Sequence, residues 1–232
     1  LAEQASVPEL FEGPDGRLIA LFVDASGRAQ RGALGAMVQD DDGNWSRTET
    51  NLRGADPNIV RLKDGSYRGY TKDRDGAIMV FESRDGLQWK QRGIAFQDER
   101  YRNSTDSDVF EGPEGWVMLI SLGPRMLRCT SEDGLKFTTD GTILELGGSV
   151  SDTVKAKDGW RTYFHVNANP RTGGKMRIRS AFTADGRTWK TEDGDRVVAP
   201  ASGPASLGVA DPAPVRLKNG SWLMALKSFI ES

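Results

Sequence analysis

The sequence predicts an all-β fold, a five-bladed β-propeller, on three observations. One turn signature recurs five times along the chain. A second signature follows it in most repeats. The apolar stretches between them are short and bounded by turn residues, as strands require and helical repeats do not.

The first signature is Asp15-Gly16, repeated at Asp64-Gly65, Glu114-Gly115, Asp158-Gly159 and Asn219-Gly220, at spacings of 49, 50, 44 and 61 residues. Before each lies a strand-like stretch: Val7–Phe11, Asp56–Val60, Asp106–Phe110, Val150–Val154 and Asp211–Val215. After each lies a second one, such as Trp116–Ile120 or Trp222–Leu226. Two strands joined by an Asp-Gly-type turn make a hairpin.

The second signature reads Ser83-Arg84-Asp85-Gly86-Leu87-Gln88-Trp89, then Ser131–Phe137 and Thr183–Trp189, with a degenerate copy at Asp40–Trp45. An apolar strand precedes it, for example Ile78–Phe81, and a polar stretch follows. That gives four strands per unit at a period near 50 residues, the arithmetic of a propeller blade. The whole chain reads as one domain with units at about 6–53, 54–103, 104–147, 148–207 and 208–232.

The last unit holds sequence for only two strands, so the fifth blade is expected to be incomplete. An open blade exposes unpaired strand edges and invites association. The expectation is that blade five is either truncated or completed by another segment or chain, and that the native polypeptide is longer.

Composition narrows the partners. Lys and Arg total 31 against 33 Asp and Glu, so charge gives no reason to expect nucleic acid or an anionic membrane. No run of about 18 apolar residues predicts a membrane span. Cys129 is the only cysteine, expected as a small buried apolar residue. The chain begins at Leu1, as a mature secreted protein or a trimmed one would, and a secreted or periplasmic location is expected.

With the repeats laid out, two resemblances emerge. The Ser/Thr-x-Asp-Gly-x-x-Trp/Phe segments resemble the Asp boxes (BNR repeats) of sialidases. The Asp-Pro-x-x-Val and Asp-Gly-x-Tyr/Trp units resemble the five-bladed glycoside hydrolases that cleave arabinan, xylan, fructan or mannoside linkages. The resemblance implies Asp boxes on the face away from the active site. It also implies a base Asp opening blade one, a supporting Asp opening blade three and an acid Glu opening blade four. Asp106 matches the supporting position, whereas Val7 and Val150 stand at the other two. The sialidase pattern of an arginine triad, a Tyr–Glu pair and an Arg-Ile-Pro opening is not assembled here. Tryptophans repeated in the blades, among them Trp89, Trp160 and Trp222, read as packing residues.

Chemistry is expected where the first strands of the blades open on the central channel. Eight residues before each turn stand Val7, Asp56, Asp106, Val150 and Asp211; two residues further on stand Glu9, Asn58, Asp108, Asp152 and Ala213. By the two-residue period of a strand, the six acids would converge on one small volume. Glu9, Asp56, Asp106, Asp108, Asp152 and Asp211 are therefore the catalytic candidates. Glycoside hydrolysis needs one protonated and one ionised carboxyl, and crowding separates their proton affinities. The same ring would suit calcium, which takes about six to eight oxygen ligands, and no single residue stands out as a metal ligand.

Sugar-binding candidates on that face are Lys72, Arg74, Tyr101, Arg102, Asn167, Asn169 and Arg171. His165, the only histidine, is read as packed or hydrogen-bonded. Two functions follow: a glycoside hydrolase-like propeller acting on or binding an extracellular carbohydrate, or a non-catalytic propeller that binds glycan or protein.

Overall fold

The computed structural model describes residues 2–29, 32–167, 174–203 and 205–230. It is an all-β propeller of four-stranded antiparallel blades. The first blade is β1 (Ala5–Glu12), β2 (Leu18–Asp24), β3 (Gly35–Gln39) and β4 (Trp45–Thr48). The second is β5 (Ala55–Arg61), β6 (Tyr67–Lys72), β7 (Ile78–Ser83) and β8 (Trp89–Phe96). The third is β9 (Thr105–Gly112), β10 (Gly115–Leu122), β11 (Arg125–Ser131) and the short β12 (Ile143–Leu144). The fourth is β13 (Ser149–Ala156), β14 (Gly159–Val166), β15 (Arg177–Thr183) and β16 (Lys190–Thr191). Each blade is ordered as in the sequence, strand against next strand.

The expected count of five blades is corrected to four. The fifth repeat forms only a two-stranded sheet, β17 (Gly208–Arg216) with β18 (Trp222–Phe229). The hairpin still closes the ring, because β17 packs between β13 and β1. Five inner strands therefore line the channel, although only four belong to full blades.

The core lies between blades, since a strand sends alternate side chains to opposite faces. On β10, Met118 and Ile120 pack with Tyr70, Ile78 and Val80 of the second blade. Their neighbours Val117 and Leu119 pack with Trp160, Phe164 and Ala181 of the fourth. Cys129 is buried in the first of these layers as a free thiol, with burial pushing its pKa up to about 12. The layer between the hairpin and the first blade is thinner, built on Ala20, Ala213 and Ala225 with Leu10 and Leu18. Trp160 is buried, but Trp222 is 46% exposed, because the two-stranded hairpin leaves it uncovered.

The second signature folds as a tight turn. In the second blade, Ser83 Oγ accepts the N–H of Gly86 (2.9 Å), while Asp85 accepts those of Leu87 (2.9 Å) and Gln88 (2.7 Å). Ser131 with Asp133 and Thr183 with Asp185 repeat the pattern. The N–H groups of Thr188 and Arg187 hold the Asp185 carboxyl below its ordinary range. A side chain on Gly134 would meet Arg68 and Trp116 at 2.6 to 2.8 Å, and its φ is +71°; glycine is required twice over.

Candidate functional site at the mouth of the channel

Every inner strand carries a bulge near its N-terminal end. The registers slip between Ser6 and Glu9, Ala55 and Asn58, Ser149 and Asp152, and Ala210 and Ala213; opposite β9 the slip falls between Ile120 and Ser121. The residues at the bulges are Val7, Asp56, Asp106, Val150 and Asp211, all left-handed with φ between +47° and +53°. Aspartate tolerates that conformation; a β-branched valine there is strained, by roughly 1–3 kcal/mol. Since valine adopts it twice, the bulge belongs to the fold rather than to any one chemistry.

The bulge breaks the two-residue period, so the six acids do not form the single ring expected. They separate into two sets. Asp56, Asp106 and Asp211 repel one another at the bulges, with Lys72 beside the first two. Glu9, Asp108 and Asp152 repel one another deeper in the channel. Asp152 opens on a cavity of about 610 Å³ lined by Asn58, Arg61, Glu111, Lys155 and Trp160, at the end of the channel away from the bulges.

The deeper set is tied to the architecture. Glu9 accepts the N–H of Ile59 (2.8 Å), Asn58 that of Val109 (2.9 Å) and Asp108 that of Thr153 (3.0 Å), each from the next blade. Asp108 also accepts the Thr153 hydroxyl (2.7 Å). The equivalent donor facing Asp152 would come from residue 214, which is Pro214 and has no N–H. Burial pushes Glu9 and Asp152 well above the ordinary carboxylate range, and Asp108 to about 6.

At the mouth, the N–H groups of three of the left-handed residues reach back one blade. That of Val7 donates to Asp211 Oδ2 (3.2 Å) and that of Asp106 to the Asp56 carboxyl. The N–H of Val150 donates to Ser121 Oγ (2.9 Å), not to Asp106. Among the described residues, Asp106 is thereby left without an interblade duty. It is buried, and burial, then repulsion by Asp56, pushes its pKa to about 7. Asp56 is half-buried and only partly relieved by Lys72, so its pKa is also raised. Asp211 is buried against His165 Nδ1 (3.2 Å), with Lys227 Nζ 4.0 Å from its other oxygen.

The substrate-binding candidates disperse. Lys72 is at the acids, its ammonium also donating to the Ser104 carbonyl. Arg74, Arg102 and Asn167 are exposed. Tyr101 packs against the core layer between the second and third blades, with Arg100 over its ring, and offers no free platform. Asn169 and Arg171 lie outside the described residues. Ser121, Ser149 and Lys227 belong to the mouth and were not picked out by the repeats; the adjacency of Ser149 to Val150 was the one available signal. Among the described residues, no group of three or more His, Cys, Asp or Glu side chains is arranged to hold a metal ion. No described helix is long and apolar enough to cross a membrane.

No protein-family model matches this sequence, and comparison with curated protein sequences finds no match. Solved structures do match. An endo-1,4-β-xylanase of Bacteroides thetaiotaomicron superposes with a TM-score of 0.73 at 13% identity, covering 97% of this chain and 84% of its own. An exo-1,5-α-L-arabinanase from a bovine ruminal metagenomic library gives 0.69 at 12%, covering 98% and 88%. A thermostable family-43 glycoside hydrolase gives 0.69 at 12%, covering 97% and 85%. The fold is that of the glycoside hydrolase propellers. At these identities the likeness fixes the propeller's architecture and leaves its chemistry to the residues at the mouth.

Proposed function

We propose that this propeller cleaves a glycosidic bond of a carbohydrate, with Asp106 as the proton donor and Asp56 as the ionised partner. The observation that carries the reading is the release of Asp106 from the interblade hydrogen bonds. Ser121 takes the donor that Asp106 would otherwise answer, and the freed carboxyl is buried beside Asp56 and Asp211 with a pKa near 7. A carboxyl that keeps its proton near neutral pH can protonate a leaving group. Lys72 and the N–H of Asp106 favour the charge on Asp56, which suits a base or nucleophile. The Ser/Thr-Asp turns serve the fold in this reading, as the Asp-box resemblance implies. An extracellular substrate is part of the same proposal.

A screen of chromogenic arabinosides, xylosides, fructosides and mannosides tests it. Hydrolysis by the wild type is expected, with the rate lowered by roughly two orders of magnitude or more in Asp106→Asn. An unchanged rate in the Asp56→Asn/Asp106→Asn double variant would overturn it. A second reading, glycan binding without cleavage, is favoured by the valines at two of the five mouth positions. Calorimetric binding of an oligosaccharide that the wild type leaves uncut would select it.

A further inference from the structure

At the rim of the mouth, three side chains are hydrogen-bonded in series. Ser149 Oγ lies 3.0 Å from His165 Nε2, and His165 Nδ1 lies 3.2 Å from Asp211 Oδ1. His165 and Asp211 are buried, whereas Ser149 is half-buried at the start of β13. Ser149 and His165 are register partners across β13 and β14. Gly148 lets the two strands approach this closely: a Cβ there would stand 2.2 Å from the Phe164 ring and 2.5 Å from the His165 carbonyl.

We propose that Ser149, His165 and Asp211 form a nucleophile, base and orienting carboxylate for acyl transfer, and that the substrate is an ester, specifically an O-acylated sugar. A serine within reach of a histidine that is oriented by a carboxylate is the arrangement such chemistry requires, whatever the fold. The tautomer follows from the neighbours. The Asp211 N–H is also 3.4 Å from Nδ1, but the carboxylate is closer, and a bond to a charged acceptor is the stronger. Nδ1 therefore carries the proton, and bare Nε2 accepts from the Ser149 hydroxyl. Lys227 and the Val7 N–H balance the other oxygen of Asp211, which leaves Oδ1 for the ring.

The step is balanced without a co-reactant other than water. Ser149 Oγ bonds to the ester carbonyl carbon while its proton passes to His165 Nε2. The bond from that carbon to the sugar oxygen then breaks, and Nε2 returns the proton to the leaving oxygen. Water repeats the sequence on the acyl-serine, releasing the carboxylic acid and restoring Ser149.

The sugar as substrate rests on the carbohydrate reading above; the nucleophile does not. Treatment of the whole chain with a fluorophosphonate, followed by peptide mass spectrometry, tests the nucleophile directly. An adduct on Ser149 is expected, forming at least 100-fold more slowly in His165→Gln. No adduct on the wild type, or an unchanged rate in His165→Gln, overturns the proposal. Because His165 is the only histidine, ¹⁵N spectra of the unmodified wild type report its tautomer without ambiguity. A proton on Nδ1 is expected, and a proton on Nε2 overturns the assignment whether or not the variant folds. Simple glycosides carry no ester and simple esters no glycosidic bond, so failure of either activity leaves the other measurable.

Discussion

The two rings of side chains on the inner strands differ in what the fold asks of them. In the deeper ring, Glu9, Asn58 and Asp108 perform one task, accepting an N–H from the next blade. Asn58 does it without charge, so the task demands an acceptor and not an acid. In the mouth ring the same kind of donor is met by Asp56, Ser121 or Asp211, and valine holds two of the five positions. The repeat thus preserves a hydrogen bond, not a residue type. An acid doing that job in the deeper ring is explained by architecture. An acid such as Asp106, relieved of it, is what the architecture does not require.

The largest effect expected on stability is at Asp108. Removing its carboxyl by Asp108→Ala strands the half-buried Thr153 N–H and hydroxyl, at about 3 kcal/mol. Asp108→Asn keeps one acceptor, as Asn58 does, and should cost less than half as much. Urea denaturation of the two variants checks this; equal losses would mean that the charge is needed. Asp106→Asn should behave oppositely. The folded pKa of Asp106, about 7, lies above the ordinary value, so the folded state holds this proton more tightly than the unfolded chain. Its contribution is favourable at low pH and is lost as pH rises from about 4 through 7. The amide removes that loss: the variant should be more stable than wild type at pH 8, by up to about 3 kcal/mol, with the gain shrinking as pH falls toward 4. Thermal melts of both proteins across that range would show it, and a pH-independent difference would contradict it.

The repeats made the fold legible to a large degree. Asp-Gly turns, apolar stretches and the Ser/Thr-Asp signature locate the hairpins and blades, because turn chemistry and strand period are local properties. The bulges were not legible. Strict alternation placed Asp56 and Asn58, or Asp106 and Asp108, on one face, and one extra residue per strand undid it. A clue was present in Pro8, Pro57 and Pro212, each following a bulge residue, since the residue before proline is driven away from the right-handed helical region. Contacts between strands, such as Val150 with Ser121 or Ser149 with His165, join residues 29 and 16 positions apart and have no local signature.

Asp152 sharpens the comparison, because it occupies the deeper ring yet lacks the partner its siblings have. Pro214 stands where Ile59, Val109 and Thr153 supply their N–H groups. Replacing it by alanine restores a donor opposite the carboxyl. Two effects on stability then oppose each other: a new hydrogen bond contributes about 1 kcal/mol, and the more flexible unfolded chain costs about as much. The net change should stay within about 1 kcal/mol, the smallest effect of the series. The titration of Asp152 is the more decisive reading. Burial, then repulsion by Glu9 and Asp108, holds its pKa high, and an N–H bonded to the ionised form should bring it down. Carboxyl ¹³C spectra of wild type and Pro214→Ala would register that fall. An unmoved titration would mean that Asp152 is set apart by its surroundings and not by the missing donor.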